Sequence, residues 1–136
     1  MDDKHKNALV QKSDEEWKSD LWTEAYQVLR ENGTERPFSS QFNKPGHVGS
    51  FHCKGCDSAL FESEAQFDSG CGWPSFDRPH PNSNIEERMD RTYGMVRIEV
   101  RCKTCDGHLG HVFPDGPTAT RKRFCINGVC LVAKTR

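Results

Sequence analysis

Residues Gly107 to Asn127, GHLGHVFPDGPTATRKRFCIN, hold two histidines, His108 and His111, and one cysteine, Cys125, set between Phe124 and Ile126. A thiol becomes a nucleophile when cationic neighbours favour its thiolate and nearby imidazoles exchange protons with the reacting group. The stretch therefore reads as a thiol active site with Cys125 as candidate nucleophile. The run Arg121-Lys122-Arg123 reads as a solvated loop. Three charges in a chain of net charge −1 make no basic field for a nucleic acid.

The other six cysteines sort around Cys125. Cys53-Lys54-Gly55-Cys56 and Cys102-Lys103-Thr104-Cys105 are two C-x-x-C knuckles, each following one strand-like segment and preceding another. Each is expected at a hairpin tip. A two-residue gap lets both thiolates of a knuckle face one ion, and two knuckles complete a tetrahedral site of four sulfurs, so one structural Zn²⁺ is expected. A redox reading of each C-x-x-C is weaker, because there are two copies and neither sits in a βαβ pattern. Four thiolates close the shell, so this metal would hold the fold and leave no position for substrate. Zinc ribbons also serve in modules that bind proteins or nucleic acids, so function rests on Cys71, Cys125 and Cys130. Cys71 lies between two glycines in FDSGCGWPSF, residues 67–76. It reads either as a loop cysteine without consequence or as a partner thiol, and Trp73 beside it as core or pocket wall.

The elements that must position these groups follow from pattern. With 136 residues, 34% apolar and 29% charged, the chain is expected to fold as one domain, residues 13–136, with a lean core that needs a staple. Residues 1–12 read as a charged, flexible lead-in. They lack the basic start and apolar run of a signal peptide, and no stretch approaches a membrane span, so a cytoplasmic protein is expected. Ser13-Asp14-Glu15-Glu16 has capping-box spacing and starts a helix or a pair of short helices. Trp17, Leu21, Ala25 and Leu29 form one apolar stripe, widened by Trp22 and Tyr26, and Asn32-Gly33 ends it. Thr34 to Gly46 reads as loop. Met95 to Arg101 reads as a half-buried strand in which Val96, Ile98 and Val100 alternate with charges. His47–His52 and Leu109–Phe113 read as strands, and Ser69–Glu87 as loops over the sheet. The class is mainly β (α+β): small antiparallel sheets in a barrel-like or two-sheet core, with N-terminal helices and a zinc-ribbon-like site of four cysteines.

The segments RENGTERPFSS, FDSGCGWPSF, GMVRIEVRCKTC, GHLGHVFPDGP and RFCIN, in this order and with both knuckles in register, resemble the type B methionine sulfoxide reductases from about Ser13 to Leu131. The resemblance implies reduction of methionine-R-sulfoxide, chiefly in proteins; a monomer is expected, and the balanced charge and lack of a membrane span lead one to expect no nucleic-acid or membrane partner. It implies Cys125 as nucleophile and Cys71 as the resolving thiol. A Cys125 sulfenic acid, then a Cys71–Cys125 disulfide, would be recycled by thioredoxin or a similar dithiol. It also places His111 and Asn127 at the site, Trp73 as the wall for the substrate methyl group, and Arg123 and Phe124 among the substrate contacts. His108 reads equally as a second proton donor or as a brace for the knuckle before it. His47, His52 and His80 read as surface or packing residues.

The chain departs from the family pattern at four positions. Arg121 stands where glycine is common, Phe124 where tyrosine is, Tyr93 where histidine is, and Cys130 where a small polar residue is usual. Cys130 is thereby a candidate second resolving thiol. The competing reading is a zinc-ribbon binding module without chemistry, which needs neither Cys125 and its histidines nor Cys71.

Overall fold

The computed structural model describes residues 9–135; of the expected lead-in, residues 1–8 lie outside the described residues. The rest of that lead-in is docked. The Val10 N–H donates to the Thr104 carbonyl at 2.7 Å, and its side chain packs against the core.

Helix α1 (Asp14–Asp20) starts on the capping box: Ser13 Oγ accepts the Glu16 N–H, and the Glu16 carboxylate accepts the Ser13 N–H. Extended backbone at Leu21 and Trp22 separates it from α2 (Thr23–Glu31), which stops at Asn32 in the left-handed conformation. The stripe survives the break: Trp17, Leu21, Ala25, Tyr26 and Leu29 are all buried. Trp22 does not join it. As the cap of α2 it turns outward and is 78% exposed, with Lys54 Nζ 5.3 Å from its ring centre.

Nine strands follow: β1 (Gly49–Cys53), β2 (Ala59–Glu62), β3 (Gln66–Phe67), β4 (Ser75–Phe76), β5 (Ile85–Asp90), β6 (Arg97–Cys102), β7 (Gly107–Phe113), β8 (Arg123–Ile126) and β9 (Leu131–Thr135). They pair antiparallel in two sheets, β2-β1-β9 and β3-β4-β8-β7-β6-β5. The sheets meet over phenylalanines: Phe61 stacks on Phe76 at 4.2 Å, and Phe51 meets Phe76 edge-on at 5.4 Å. Helix α2 covers β7 and the turn before β9.

Three expectations change. Val96 is 68% exposed and precedes the strand, which begins at Arg97. The charged face of β6 is not solvated either: Arg101 is buried and bound to Glu99 at 2.7 Å, Asp106 at 3.1 Å and Asn32 at 3.1 Å. Pairing lets a buried guanidinium replace its lost water. Finally, Ser69–Glu87 contains β4 and the start of β5. Ile85-Glu-Glu-Arg-Met-Asp shows no apolar alternation because β5 is an edge strand, where charge is the usual composition.

Candidate active site and metal centre

Strand β8 sets the site by alternation. Neighbours in a strand face opposite ways, so Arg123 and Cys125 share one face while Phe124 and Ile126 enter the core. Phe124 is 1% exposed and lies 5.8 Å from the Phe61 ring, so its expected substrate contact gives way to packing between the sheets. Cys125 has a neighbour on each side: His111 opposite on β7 and Ser75 opposite on β4. Gly110 allows this closeness, since a Cβ there would lie 2.1 Å from the Cys125 carbonyl oxygen.

Cys71 comes from the turn before β4, where Gly70 and Gly72 take positive φ of 75° and 98°. The turn brings its Sγ to 3.9 Å from Cys125 Sγ. The Ser69 hydroxyl donates to the Cys71 sulfur at 2.9 Å, and Ser75 Oγ lies 3.5 Å from it. Burial works against ionisation of Cys71, but these hydrogen bonds outweigh it and its thiol lies below the ordinary value. Cys125 goes the other way. Burial pushes its thiol up to about 12, the Cys71 sulfur adds to the rise, and the Arg123 guanidinium offsets only part. The two sulfurs do not ionise together, and Cys71 gives up its proton before Cys125 does.

The sign of that coupling is testable. Replacing Cys71 with serine removes the neighbouring negative charge, so the Cys125 thiol should fall from about 12 towards the value set by burial alone. Alkylation of Cys125 at pH 9 should then speed up. An unmoved titration midpoint in the pH dependence of alkylation would show that Cys71 contributes nothing.

A cavity of about 290 Å³ opens beside the two sulfurs, near the lower end of the roughly 300–1,000 Å³ common for ligand pockets. Trp73, His111, Arg123 and Asn127 line it together with Thr34, Arg97 and Phe113. Trp73 is held by its indole N–H, which donates to the Glu35 carbonyl at 3.1 Å. Asn127 is buried and donates its amide to the Leu109 carbonyl at 2.9 Å. Arg123 forms a two-bond pair with Asp115 at 2.9 and 3.2 Å and stacks 4.5 Å over the Phe113 ring.

His111 is anchored by a residue that no local pattern marks: Asp90, at the end of β5, lies 2.8 Å from its Nε2. Hydrogen bonds from His111 and from the Thr92 N–H hold Asp90 well below the usual carboxylate range, so it only accepts. The His111 proton therefore sits on Nε2, and Nδ1 is left as an acceptor. Burial lowers the His111 pKa, Asp90 recovers part of the loss, and Arg97 adds to it. The ring is neutral at pH 7. His108 stands behind it, outside the cavity lining: it is buried, its Nδ1–H reaches Glu99 at 2.6 Å, and its ring meets His111 edge-on at 5.6 Å. Cys130 is fully buried, with Sγ 3.5 Å from the His108 carbonyl, and its place in the core removes it as a second resolving thiol.

The loop before β8 keeps the conformation of a glycine without having one. Arg121 has φ 58°, and its carbonyl accepts the Gly116 N–H at 3.1 Å. A left-handed non-glycine residue costs about 1–2 kcal/mol, and glycine gives some of that back through unfolded-state entropy. Arg121→Gly should therefore stabilise the protein by about 0.5–1 kcal/mol, read as a higher urea midpoint.

Each knuckle sits at a hairpin tip, Cys53–Cys56 between β1 and β2 and Cys102–Cys105 between β6 and β7. Their four sulfurs lie within 4.8 Å of one another, and three of the four cysteines are buried. Four soft donors converging in this way fit a metal ion.

Residues 21–135 match the SelR domain family. A peptide methionine sulfoxide reductase MsrB of Chromohalobacter salexigens is 55% identical over 123 residues, covering 90% of this chain and 92% of that protein. The protein of the same name from Pseudomonas syringae pv. syringae is 56% identical over 122 residues, 90% of this chain and 93% of its own length. That of Pseudomonas putida is 53% identical over 127 residues, 93% and 96%. On this family match and these identities, the chain belongs to the SelR domain family, the type B methionine sulfoxide reductases.

Proposed function

We propose that the chain reduces methionine-R-sulfoxide in proteins to methionine, with Cys125 as nucleophile and Cys71 as resolving thiol. The observation that carries this reading is the pair of sulfurs 3.9 Å apart at the wall of a cavity that Trp73 and His111 also line. The methyl group of the substrate rests on the flat Trp73 face. Cys125 Sγ forms a bond to the sulfoxide sulfur, and its proton passes through His111 Nδ1 to the sulfoxide oxygen, the atom that gains negative charge. A thiol that keeps its proton until substrate arrives suits this step, because the oxygen needs protons as much as the sulfur needs a nucleophile. The oxygen then passes from the methionine sulfur to Cys125 Sγ as the new S–S bond and the old S–O bond break, so methionine leaves as the thioether and Cys125 becomes a sulfenic acid. Cys71 Sγ then attacks the Cys125 sulfur, water departs, and a Cys71–Cys125 disulfide remains. Thioredoxin or a similar dithiol takes up the oxidation by exchange. Seven free cysteines suit a reducing compartment such as the cytoplasm. Among the described residues no helix is long and apolar enough to cross a membrane.

Cys53, Cys56, Cys102 and Cys105 would hold Zn²⁺. A tetrahedron with Zn–S bonds of about 2.3 Å has edges of about 3.8 Å, and two edges here are 3.5 and 3.7 Å. The ion would supply cross-linking of the two hairpins only.

The test is single-turnover reduction of the separate R and S epimers of a blocked methionine sulfoxide, followed by counting thiols. Turnover of R alone, with two thiols lost and the Cys71–Cys125 peptide recovered, is expected. No turnover of either epimer would return the chain to the binding-module reading.

A further inference from the structure

Glu35 belongs to the loop between α2 and β1, yet it is only 4% exposed. It makes four hydrogen bonds: its backbone reaches the cavity residues Trp73 and Asn127, and its carboxylate reaches Gly128 and Val129, which follow Asn127 in the chain. One carboxylate oxygen accepts the Gly128 N–H at 2.9 Å and the other accepts the Val129 N–H at 2.9 Å. Its own N–H donates to Asn127 Oδ1 at 3.0 Å, and its carbonyl accepts the Trp73 indole N–H at 3.1 Å. Trp73 and Asn127 come from segments far apart in the chain, and Glu35 is bonded to both. The Phe38 N–H, three residues on, donates to the Gly72 carbonyl at 2.6 Å and ties the same loop to the Cys71 turn.

We propose that Glu35 is the positioning residue of the sulfoxide pocket, clamping the Trp73 wall and the Asn127 end of β8 in the one spacing that admits a methyl sulfoxide. The inference rests on the reductase reading and deepens it. Burying a carboxylate is costly unless both its oxygens are hydrogen-bonded, as they are here. The carboxylate is suited by its chemistry: it offers two acceptor oxygens to two consecutive N–H groups. An amide offers one acceptor, and its NH₂ would face the second N–H as donor against donor. Glu35→Gln therefore loosens the Gly128–Val129 side of the clamp while keeping the size of the side chain. Burial raises the Glu35 pKa, so the clamp fails first in acid, as the carboxylate takes a proton. Trp73 and Asn127 touch substrate; Glu35 acts through them.

The experiment compares wild type with Glu35→Gln at 25 °C on the R epimer of a blocked methionine sulfoxide, with dithiothreitol as reductant. The KM of the variant should rise at least tenfold while kcat changes less than threefold. Its indole ¹⁵N–¹H NMR signals should show Trp73 displaced, with Trp17 and Trp22 unmoved. A merely structural Glu35 would lower the melting temperature and leave KM and the Trp73 signal in place, and that result overturns the proposal. If Glu35→Gln does not fold, Glu35→Asp is read on the same terms. Its carboxylate is one methylene shorter and reaches one of the two N–H groups. An inactive wild type would fault the reductase reading itself; an active wild type with unchanged variant KM would fault only Glu35.

Discussion

Cys125→Ser should lose at least about 10⁴-fold in turnover with any reductant, while the fold and bound metal stay as in the wild type. The strand positions the atom, so serine will occupy the same place between His111 and Ser75. What fails is chemistry. A hydroxyl holds its proton far more tightly than a thiol and has no reducing capacity, so no sulfenic acid forms and the oxygen has nowhere to go. Cys71→Ser separates from this cleanly. It should retain one reduction per molecule, because Cys125 is intact, and lose cycling by a dithiol protein. Cys130 cannot substitute, since it is fully buried in the core. Stoichiometric reduction by Cys125→Ser would mean that Cys71 is the attacking thiol.

The second large effect lies at the other end of β7. Cys102→Ser should release the metal and unfold the protein at 25 °C. Structural zinc contributes about 10–16 kcal/mol in small peptides, against a total stability of about 5–15 kcal/mol for a domain. Here the ion would join two hairpins from different sheets, one from β2-β1-β9 and the other from the six-stranded sheet. The helices depend on it too. The Arg30 guanidinium donates to the Cys105 carbonyl at 2.7 Å and lies 4.3 Å over the Trp17 ring, and the Val10 N–H reaches Thr104. Loss of circular dichroism together with release of one zinc to a chromogenic chelator is the expected result. A variant that keeps its metal and its melting temperature would refute the four-sulfur site.

What the sequence makes legible is what local chemistry decides. The capping box at Ser13 and the stripe from Trp17 to Leu29 are set within a few turns, and both are found in place. The knuckles declare their hairpins because two residues between cysteines force a tight turn. Less legible is what the sheet decides. The resemblance puts Phe124 among the substrate contacts beside Cys125, but in a strand adjacency in sequence is opposition in space. Val96 continues an alternating pattern yet lies before β6, since pairing with β5 starts at Arg97, opposite Asp90. Asp90 and Glu35 are the clearest losses. Their partners His111 and Gly128 lie 21 and 93 positions away in the chain, and no periodicity links residues that only meet when the sheets close.

In the proposed cycle the closeness of Cys71 to Cys125 also fixes the order of events. Both sulfurs border one small cavity, and once joined neither remains available to a sulfoxide. A second sulfoxide must wait for the dithiol, and the dithiol has nothing to act on until the first has been reduced. The two reactants therefore alternate on one pair of atoms and never meet. On that cycle, raising either concentration alone would saturate at a rate set by the other half-cycle, and repair would be governed by the supply of electrons whenever oxidised methionine is abundant.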